Sequence, residues 1–370
     1  MSERVCGFDK IIGQELAKRV LRKAACSGNP AHAYIFLGPE GIGKLTTAVE
    51  FAKALNCESP NDGSPCCDCA ICRTIDQGNL PDVRVWSPEG KNTRIDLMRE
   101  MRELSALKPM RARWKVNIIE QGDTLNEEAA NCILKLIEEP PDFLVNILLY
   151  RSPVAVLPTI WSRCSVVRFV QVSTEELADR LVSDYGIDRE QAHLLASYAQ
   201  GCPGRAVRLI GNSQFVAQRD TIARVADAIS RRKCWASLKL AEDLRAAQQT
   251  AEDVPTADDA ETFEEAGRVD DSGRTLRLSA RESTIRSLDM LLTWFGDLLA
   301  VKVQGQQASV VNMDRRAELQ SQADRYRGVE ELLLAIESIQ QCRRRVVGNA
   351  NPQVACEALI IQLAGERMCV

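Results

Sequence analysis

Four closely spaced cysteines carry the strongest chemical signal in this sequence. They follow the pattern Cys-x8-Cys-x2-Cys-x2-Cys, formed by Cys57, Cys66, Cys69 and Cys72. Four thiolates at such spacing complete the tetrahedral coordination of Zn²⁺ and leave no position open, so we predict a structural zinc site. Cys67 is a fifth candidate ligand with a less suitable spacing. The alternatives are free thiols, a disulfide pair and an iron–sulfur cluster.

A glycine-rich loop supplies a second signal. Its sequence from Gly38 to Lys44 matches G-x-x-x-x-G-K and lies between the apolar run AYIFL and a segment with helical apolar spacing. In that setting backbone N–H groups and a helix N-terminus bind phosphate oxygens, and the lysine adds a positive charge. The predicted nucleotide contacts come from Gly38, Gly41, Gly43, Lys44 and Thr46. A glycine-rich turn that binds nothing is the alternative.

The same loop lacks the hydroxyl that normally binds magnesium. That hydroxyl belongs to the residue after the lysine, which is Leu45 here, whereas Thr46 comes one position later. One residue rotates a side chain by about 100° around a helix, so Thr46 is poorly placed to replace the missing ligand. We expect the loop to hold phosphate with a compromised magnesium site.

The two residues that directly follow the apolar run VNII are also unusual. An active ATPase has two acids there, one that orients magnesium and one that polarises the attacking water. This chain has Glu120 and Gln121, and a neutral amide does not accept a proton from water. Glu120 is therefore a candidate nucleotide-site residue. The alternative is a plain buried strand that ends in polar residues.

Alternating strand and helix patterns surround these motifs. The predicted strands lie at 33–37, 83–86, 116–119 and 145–150. Helical apolar spacing begins at Lys44 and again near Asn126. This alternation indicates a parallel, doubly wound α/β sheet.

Strand patterns end after about residue 169. Three short helices are predicted over 173–208, and longer amphipathic helices over 287–303 and 329–345. Between Thr250 and Asp271, nine acidic residues accompany a single Arg and almost no large apolar side chains. Such a composition buries too little surface to offset the entropy of ordering, so we predict a disordered acidic loop over about 248–282.

Charge and hydropathy exclude several classes of protein. A formal net charge of −4 argues against a chain that coats nucleic acid by bulk attraction. No apolar run approaches the roughly 18 residues that span a bilayer, and the first residues lack a signal-peptide pattern. We expect a cytoplasmic protein without a membrane partner.

Taken together, these motifs resemble those of the bacterial DNA polymerase III clamp-loader subunits, which are proteins of the AAA+ class. The matching segments are GFD at 7–9, IGQ at 12–14, the glycine-rich loop, the four-cysteine insert after the loop's helix, ANCILKLIEEPP at 130–141, SRC at 162–164 and NANP at 349–352. Their order and spacing follow the family along the whole chain.

The resemblance implies an α/β P-loop (AAA+) domain with a zinc module, then a small helical lid and an all-α C-terminal collar that oligomerises. The corresponding domains are 1–168 with the cysteine insert at 57–72, then 169–212, then 213–370. It also implies that Arg163 is an arginine finger supplied to nucleotide on a neighbouring subunit. An ordinary surface charge is the alternative for Arg163. Arg205 lies in a segment similar to the family's sensor 2, one place from the usual position.

Departures from the motor pattern favour the delta-prime type of subunit over the gamma/tau type. They are Leu45, Gln121 and the pair Tyr150-Arg151, where a Thr or Asn normally senses the γ-phosphate. The implied partners are gamma/tau and delta subunits, the sliding clamp and primer-template DNA, with structural Zn²⁺ and doubtful ATP binding and hydrolysis. The alternatives are an active gamma/tau-type ATPase motor and a stand-alone zinc-dependent DNA-binding protein.

Overall fold

A computed structural model describes residues 6–87, 94–125, 127–231 and 280–365. The chain divides into two compact units, Met1–Gly186 with Ala199–Arg205 and Ile187–Tyr198 with Ala206–Val370. The predicted acidic loop lies outside the described residues up to 279, and its last three positions begin a helix.

The first unit is built on one five-stranded sheet. Its strands are β1 (Ala33–Leu37), β2 (Val83–Trp86), β3 (Lys115–Ile119), β4 (Leu144–Tyr150) and β5 (Ser165–Arg168). The order is β2-β3-β4-β1-β5, and every pairing is parallel. This confirms the predicted α/β P-loop fold. Every residue of β1, β3 and β4 is buried, because helices cover both faces of the sheet.

Alternate residues of the strands supply two separate cores. The helices of this unit are α1 (Glu15–Ser27), α2 (Lys44–Asn56), α3 (Ala70–Asp76), α4 (Arg94–Ser105), α5 (Glu127–Glu138), α6 (Pro158–Trp161) and α7 (Thr174–Tyr185). One face of the sheet packs against α1 and α2 through a cluster that includes Leu21, Phe36, Phe51 and Val116. The other packs against α4 and α5 through Ile35, Met101, Ile133 and Leu148. The sheet is thus doubly wound.

Helices make up the rest of the described chain. They are α8 (Arg189–Tyr198), α9 (Pro203–Leu209), α10 (Ser213–Ser230), α11 (Ala280–Gln304), α12 (Arg316–Ala323), α13 (Val329–Val347) and α14 (Pro352–Gly365). Short 3₁₀ turns lie at Gly7–Lys10, Gly122–Thr124, Pro153–Ala155, Gly305–Gln307 and Met313–Arg315. The helical C-terminal region confirms the sequence prediction. None of the described helices is long and apolar enough to cross a membrane.

A buried polar network joins three helices of the second unit. Asn312 is fully buried, and its side-chain oxygen accepts hydrogen bonds from the Tyr198 hydroxyl at 2.9 Å and from Arg219 at 2.8 Å. Its amide nitrogen donates to Asp297 at 2.7 Å. Because each of these groups has a partner, the network orients α8, α10 and α11 without leaving Asn312 unsatisfied.

Candidate functional site

The glycine-rich loop connects β1 to α2 as the sequence predicts. Gly43 precedes the helix with φ 100°, and Gly41 has φ 76°, so both lie where only glycine is unstrained. Gly38 is held by a close approach, since a Cβ there would lie 2.8 Å from the carbonyl oxygen of Phe169. The loop therefore depends on glycine for its shape.

Lys44 folds back onto its own loop. Its Nζ donates to the carbonyl oxygens of Gly38 at 2.5 Å and Pro39 at 2.7 Å. Burial lowers the pKa of this ammonium to about 8, and the negative charges of Asp123 and Glu40 oppose the shift only in part. Lys44 thus carries its positive charge at neutral pH, where it can attract an anion, and loses that charge in mildly alkaline solution.

Leu45, Thr46 and Thr47 follow Lys44 at the start of α2, and each has a different environment. Leu45 packs its side chain against the core cluster of the sheet. The Thr46 side chain is exposed, and Thr47 donates its hydroxyl to Gly43 O at 2.8 Å. The roles predicted for Gly38, Gly41, Gly43, Lys44 and Thr46 in nucleotide binding stay predictions.

Two carboxylates, those of Glu120 and Asp123, follow strand β3 at this site. The Glu120 carboxylate accepts a hydrogen bond from Ser87 Oγ at the end of β2. Gln121 is exposed in a left-handed conformation with φ 53°. Asp123 was missed by sequence reasoning, yet it contributes the largest charge effect that opposes the lowering of the Lys44 pKa. It caps the end of β4, because it accepts hydrogen bonds from the backbone N–H groups of Arg151 at 2.8 Å and Ser152 at 3.2 Å.

Two further contacts hold the loop in place. Arg151 Nη2 lies 3.0 Å from Glu40 Oε2, which links the end of β4 to the glycine-rich loop. The backbone N–H of Gly204 donates to Gly41 O at 2.8 Å, so the segment before Arg205 lies directly against the loop. Arg205 is half-buried, and its charge lies near the Cys202 thiol. Its predicted contact with nucleotide stays a prediction.

Anion binding at Lys44 should depend on pH. ATP or pyrophosphate is expected to bind the isolated chain about tenfold more weakly at pH 9 than at pH 7.5, because a lysine with a lowered pKa keeps its charge below pH 8 and loses it above. Titration calorimetry at several pH values measures this, with Lys44→Arg as the control that stays charged throughout. Equal pH profiles for the two proteins would contradict it.

The four predicted zinc ligands converge in the structure. Cys57, Cys66, Cys69 and Cys72 offer sulfur atoms that all lie within 4.8 Å of one another. Each of three backbone N–H groups in this segment donates to the preceding ligand's sulfur, as in Cys66 N to Cys57 Sγ at 3.2 Å. Such donors stabilise thiolates in metal sites. The residues therefore fit a closed four-thiolate metal centre.

Cys67 lies outside this group of four. It has φ 60° and its sulfur accepts a hydrogen bond from Gly7 N at 3.0 Å.

The cysteine segment is tied to the P-loop helix by Lys53, which is fully buried and pairs with Asp76 of α3 and Glu50 of α2 at 2.7 Å each. The cysteine segment is thus part of the packing of the first unit.

Arg163 lies on the surface after α6. Its Nη2 is 3.0 Å from Glu138 Oε1, with 43% of its side chain and 47% of the glutamate's exposed. Its Nη1 donates to Thr159 O at 3.1 Å and to Ser162 Oγ at 3.3 Å. The side chain is far from saturated, because a guanidinium has five N–H donors.

Comparison with known proteins assigns relatives over most of the chain. A family profile described as DNA polymerase III, delta subunit, matches residues 13–173, and one described as DNA polymerase III, delta subunit, C terminal, matches residues 262–365. DNA polymerase III subunit delta' of Bacillus subtilis (strain 168) is 26% identical over 90% of this chain and 91% of its own length.

Other relatives are longer proteins. DNA polymerase III subunit tau of Bacillus subtilis is 31% identical over 60% of this chain and 40% of its own length. Subunit tau of Escherichia coli (strain K12) is 29% identical over 60% of this chain and 33% of its own. The chain therefore spans less than half of the tau relatives and about nine-tenths of the delta' relative.

Solved structures add weak likenesses. A DNA polymerase III gamma subunit-related protein of Thermotoga maritima covers 95% of this chain and 98% of its own, at 15% identity and TM-score 0.38. A variant of Thermotoga maritima RuvB covers 60% of this chain and 68% of its own, at 18% identity and TM-score 0.39. The fold assignment depends on the sheet order and the loop geometry described above.

Proposed function

The chain belongs to the family of bacterial DNA polymerase III clamp-loader subunits, and we propose that it acts as the delta-prime-type subunit, which helps load the sliding clamp onto primed DNA in replication. The match to a delta' subunit over nine-tenths of both chains carries this proposal. Its partners would be gamma/tau and delta subunits in a hetero-oligomer, together with the clamp and primer-template DNA, all in the cytoplasm.

The chain would not hydrolyse ATP by itself. Leu45 stands where a hydroxyl should ligate magnesium, and Gln121 stands where an acid should polarise water. Groups of this kind act as a unit, so the loss of two of them removes most of the transition-state stabilisation. Tyr150-Arg151 stands where the family has a Thr or Asn that senses the γ-phosphate, and Arg151 instead pairs with Glu40 of the glycine-rich loop. This replacement also supports a chain that does not hydrolyse ATP.

Arg163 would serve a neighbour instead. An arginine finger contributes transition-state stabilisation in trans and needs no catalytic apparatus of its own. The exposure of Arg163 after α6 supports this role, since the side chain of an arginine finger must extend beyond its own subunit. The four cysteines would hold Zn²⁺, because four convergent thiolates complete the coordination of zinc in a structural site.

Isolated chain is expected to turn over ATP no faster than its Lys44→Ala variant. A coupled phosphate-release assay with Mg²⁺ measures this, and an equimolar preparation of gamma/tau-type subunits serves as the positive control. Robust turnover that Lys44→Ala abolishes would instead favour the active motor. Salt-sensitive DNA binding by the chain alone would favour a stand-alone DNA-binding protein.

Assembly with the partners tests the proposal directly. Mixed with gamma/tau and delta subunits, the chain should enter a complex of defined stoichiometry whose ATPase responds to clamp and primed DNA. Light scattering with size-exclusion chromatography gives the stoichiometry. A complex that forms and loads clamp equally well without this chain would reject the function.

A further inference from the structure

The acid that pairs with Arg163 occupies an unfavourable position. Glu138 is the last residue of α5, where the helix dipole is negative and a carboxylate is destabilising. The adjacent Glu139 adds a second negative charge at the same end. Two cations offset this cost: Lys135 lies in the last turn of α5, and Arg163 Nη2 is 3.0 Å from the Glu138 carboxylate.

The Arg163 side chain is also held by groups close to it in the sequence. Besides Glu138 it bonds to Thr159 O and Ser162 Oγ, both within the short turn that precedes it. The guanidinium therefore lies back along α6 toward the end of α5. Because the Glu138 carboxylate holds the guanidinium back toward α5, extension toward a phosphate on another subunit is expected to break this ion pair.

We propose that Glu138 is a positioning residue that restrains Arg163 until a neighbouring subunit presents nucleotide phosphate. This inference rests on the finger role proposed above and adds the group that controls it. Both the carboxylate and the phosphate are anions that a guanidinium binds through N–H donors, so they compete for the same side chain. The half-exposed ion pair is weak enough to be broken by a polyphosphate and strong enough to lower the free fraction of the finger.

Glu138→Gln should release the finger. In the complex reconstituted with gamma/tau and delta subunits, ATPase without clamp or DNA is expected to rise about two- to fivefold, the range for release of a half-exposed ion pair. Glu139→Gln is the matched control, because it removes the same charge from the same helix end, and it should leave the rate unchanged. Glu138→Asp should restore the wild-type rate in part.

A second variant separates restraint from helix stability. In an Arg163→Ala background, Glu138→Gln should have no further effect on the rate, since the side chain that it releases is gone. A lowered or unchanged rate in Glu138→Gln, with Arg163→Ala still impaired, would overturn the restraint and leave the finger intact. An ATPase rate that Arg163→Ala leaves unchanged would count against the arginine-finger role itself.

A chemical readout in the isolated full chain tests the restraint without any ATPase. Phenylglyoxal modifies free guanidinium groups, and mass spectrometry gives the rate at each arginine. Arg163 should react about two- to fivefold faster in Glu138→Gln than in wild type or in Glu139→Gln, on the same ion-pair estimate. Equal Arg163 rates in the three proteins would overturn the inference, whatever the fate of the finger.

Discussion

Arg163→Ala should slow ATP hydrolysis at the one site that this chain serves in the assembled loader by at least about 10³-fold, the lower end for loss of an arginine finger. The guanidinium would stabilise charge on the transferring phosphoryl group, and Arg163 is the one cationic residue between α6 and β5. Rapid-quench kinetics on the reconstituted complex measures this as a lost burst amplitude of one site per copy of the chain.

Controls distinguish this loss from misassembly. The variant should enter the complex at wild-type stoichiometry, because Arg163 is half-exposed and its ion pair with Glu138 contributes little to folding. Arg163→Lys keeps the charge but not the planar donor fork, so it should recover only part of the rate. An unchanged burst in correctly assembled Arg163→Ala complex would rule the finger out.

Cys72→Ser should abolish metal binding and destabilise the first unit. Bound zinc is expected to fall from about one ion per chain to near zero, and the unfolding midpoint to fall by roughly 10 °C, since structural zinc contributes folding free energy directly. Loss of the metal would also free α3, and with it the Asp76 carboxylate that pairs with buried Lys53. Buried Lys53 would then keep only Glu50 as its ion-pair partner, which lowers stability further.

Cys67→Ser provides the matched control for the metal site. Cys67 neighbours the ligand Cys66 but does not belong to the convergent group, and serine keeps an acceptor for the Gly7 N–H. Zinc content by atomic emission and the melting curve should both stay close to wild type. Equal zinc loss in Cys67→Ser and Cys72→Ser would contradict the assignment of ligands.

Sequence patterns predicted four of the five strands of the sheet and missed the edge strand β5. The strands at 33–37 and 83–86 were predicted with their observed bounds, and those at 115–119 and 144–150 to within one residue. Strand β5 (Ser165–Arg168) was not predicted, because its apolar residues are only Val166 and Val167, between Ser165 and Arg168. Its place beside β1 is set by pairing with a strand far away in the sequence.

The candidate sites divide in the same way. Cys57, Cys66, Cys69 and Cys72 were identifiable because their ligand spacing is local. Asp123 was not, since its importance comes from folding the loop after β3 against Lys44 and against the end of β4. In the sequence, Asp123 is marked only by being an acid three residues after Glu120.

By itself, the sequence determined the group of four convergent cysteines, the glycine-rich loop and the missing hydroxyl and acid at Leu45 and Gln121, because each depends on residue type and short spacing along one segment. Only the tertiary structure decided that Lys44 bends back onto its loop, that Arg151 meets Glu40, and that Arg163 pairs with Glu138. The Lys44 contact depends on the folded shape of its loop, and the two ion pairs join residues on different elements. A local pattern carries no information about which distant charges the fold brings within a few ångströms.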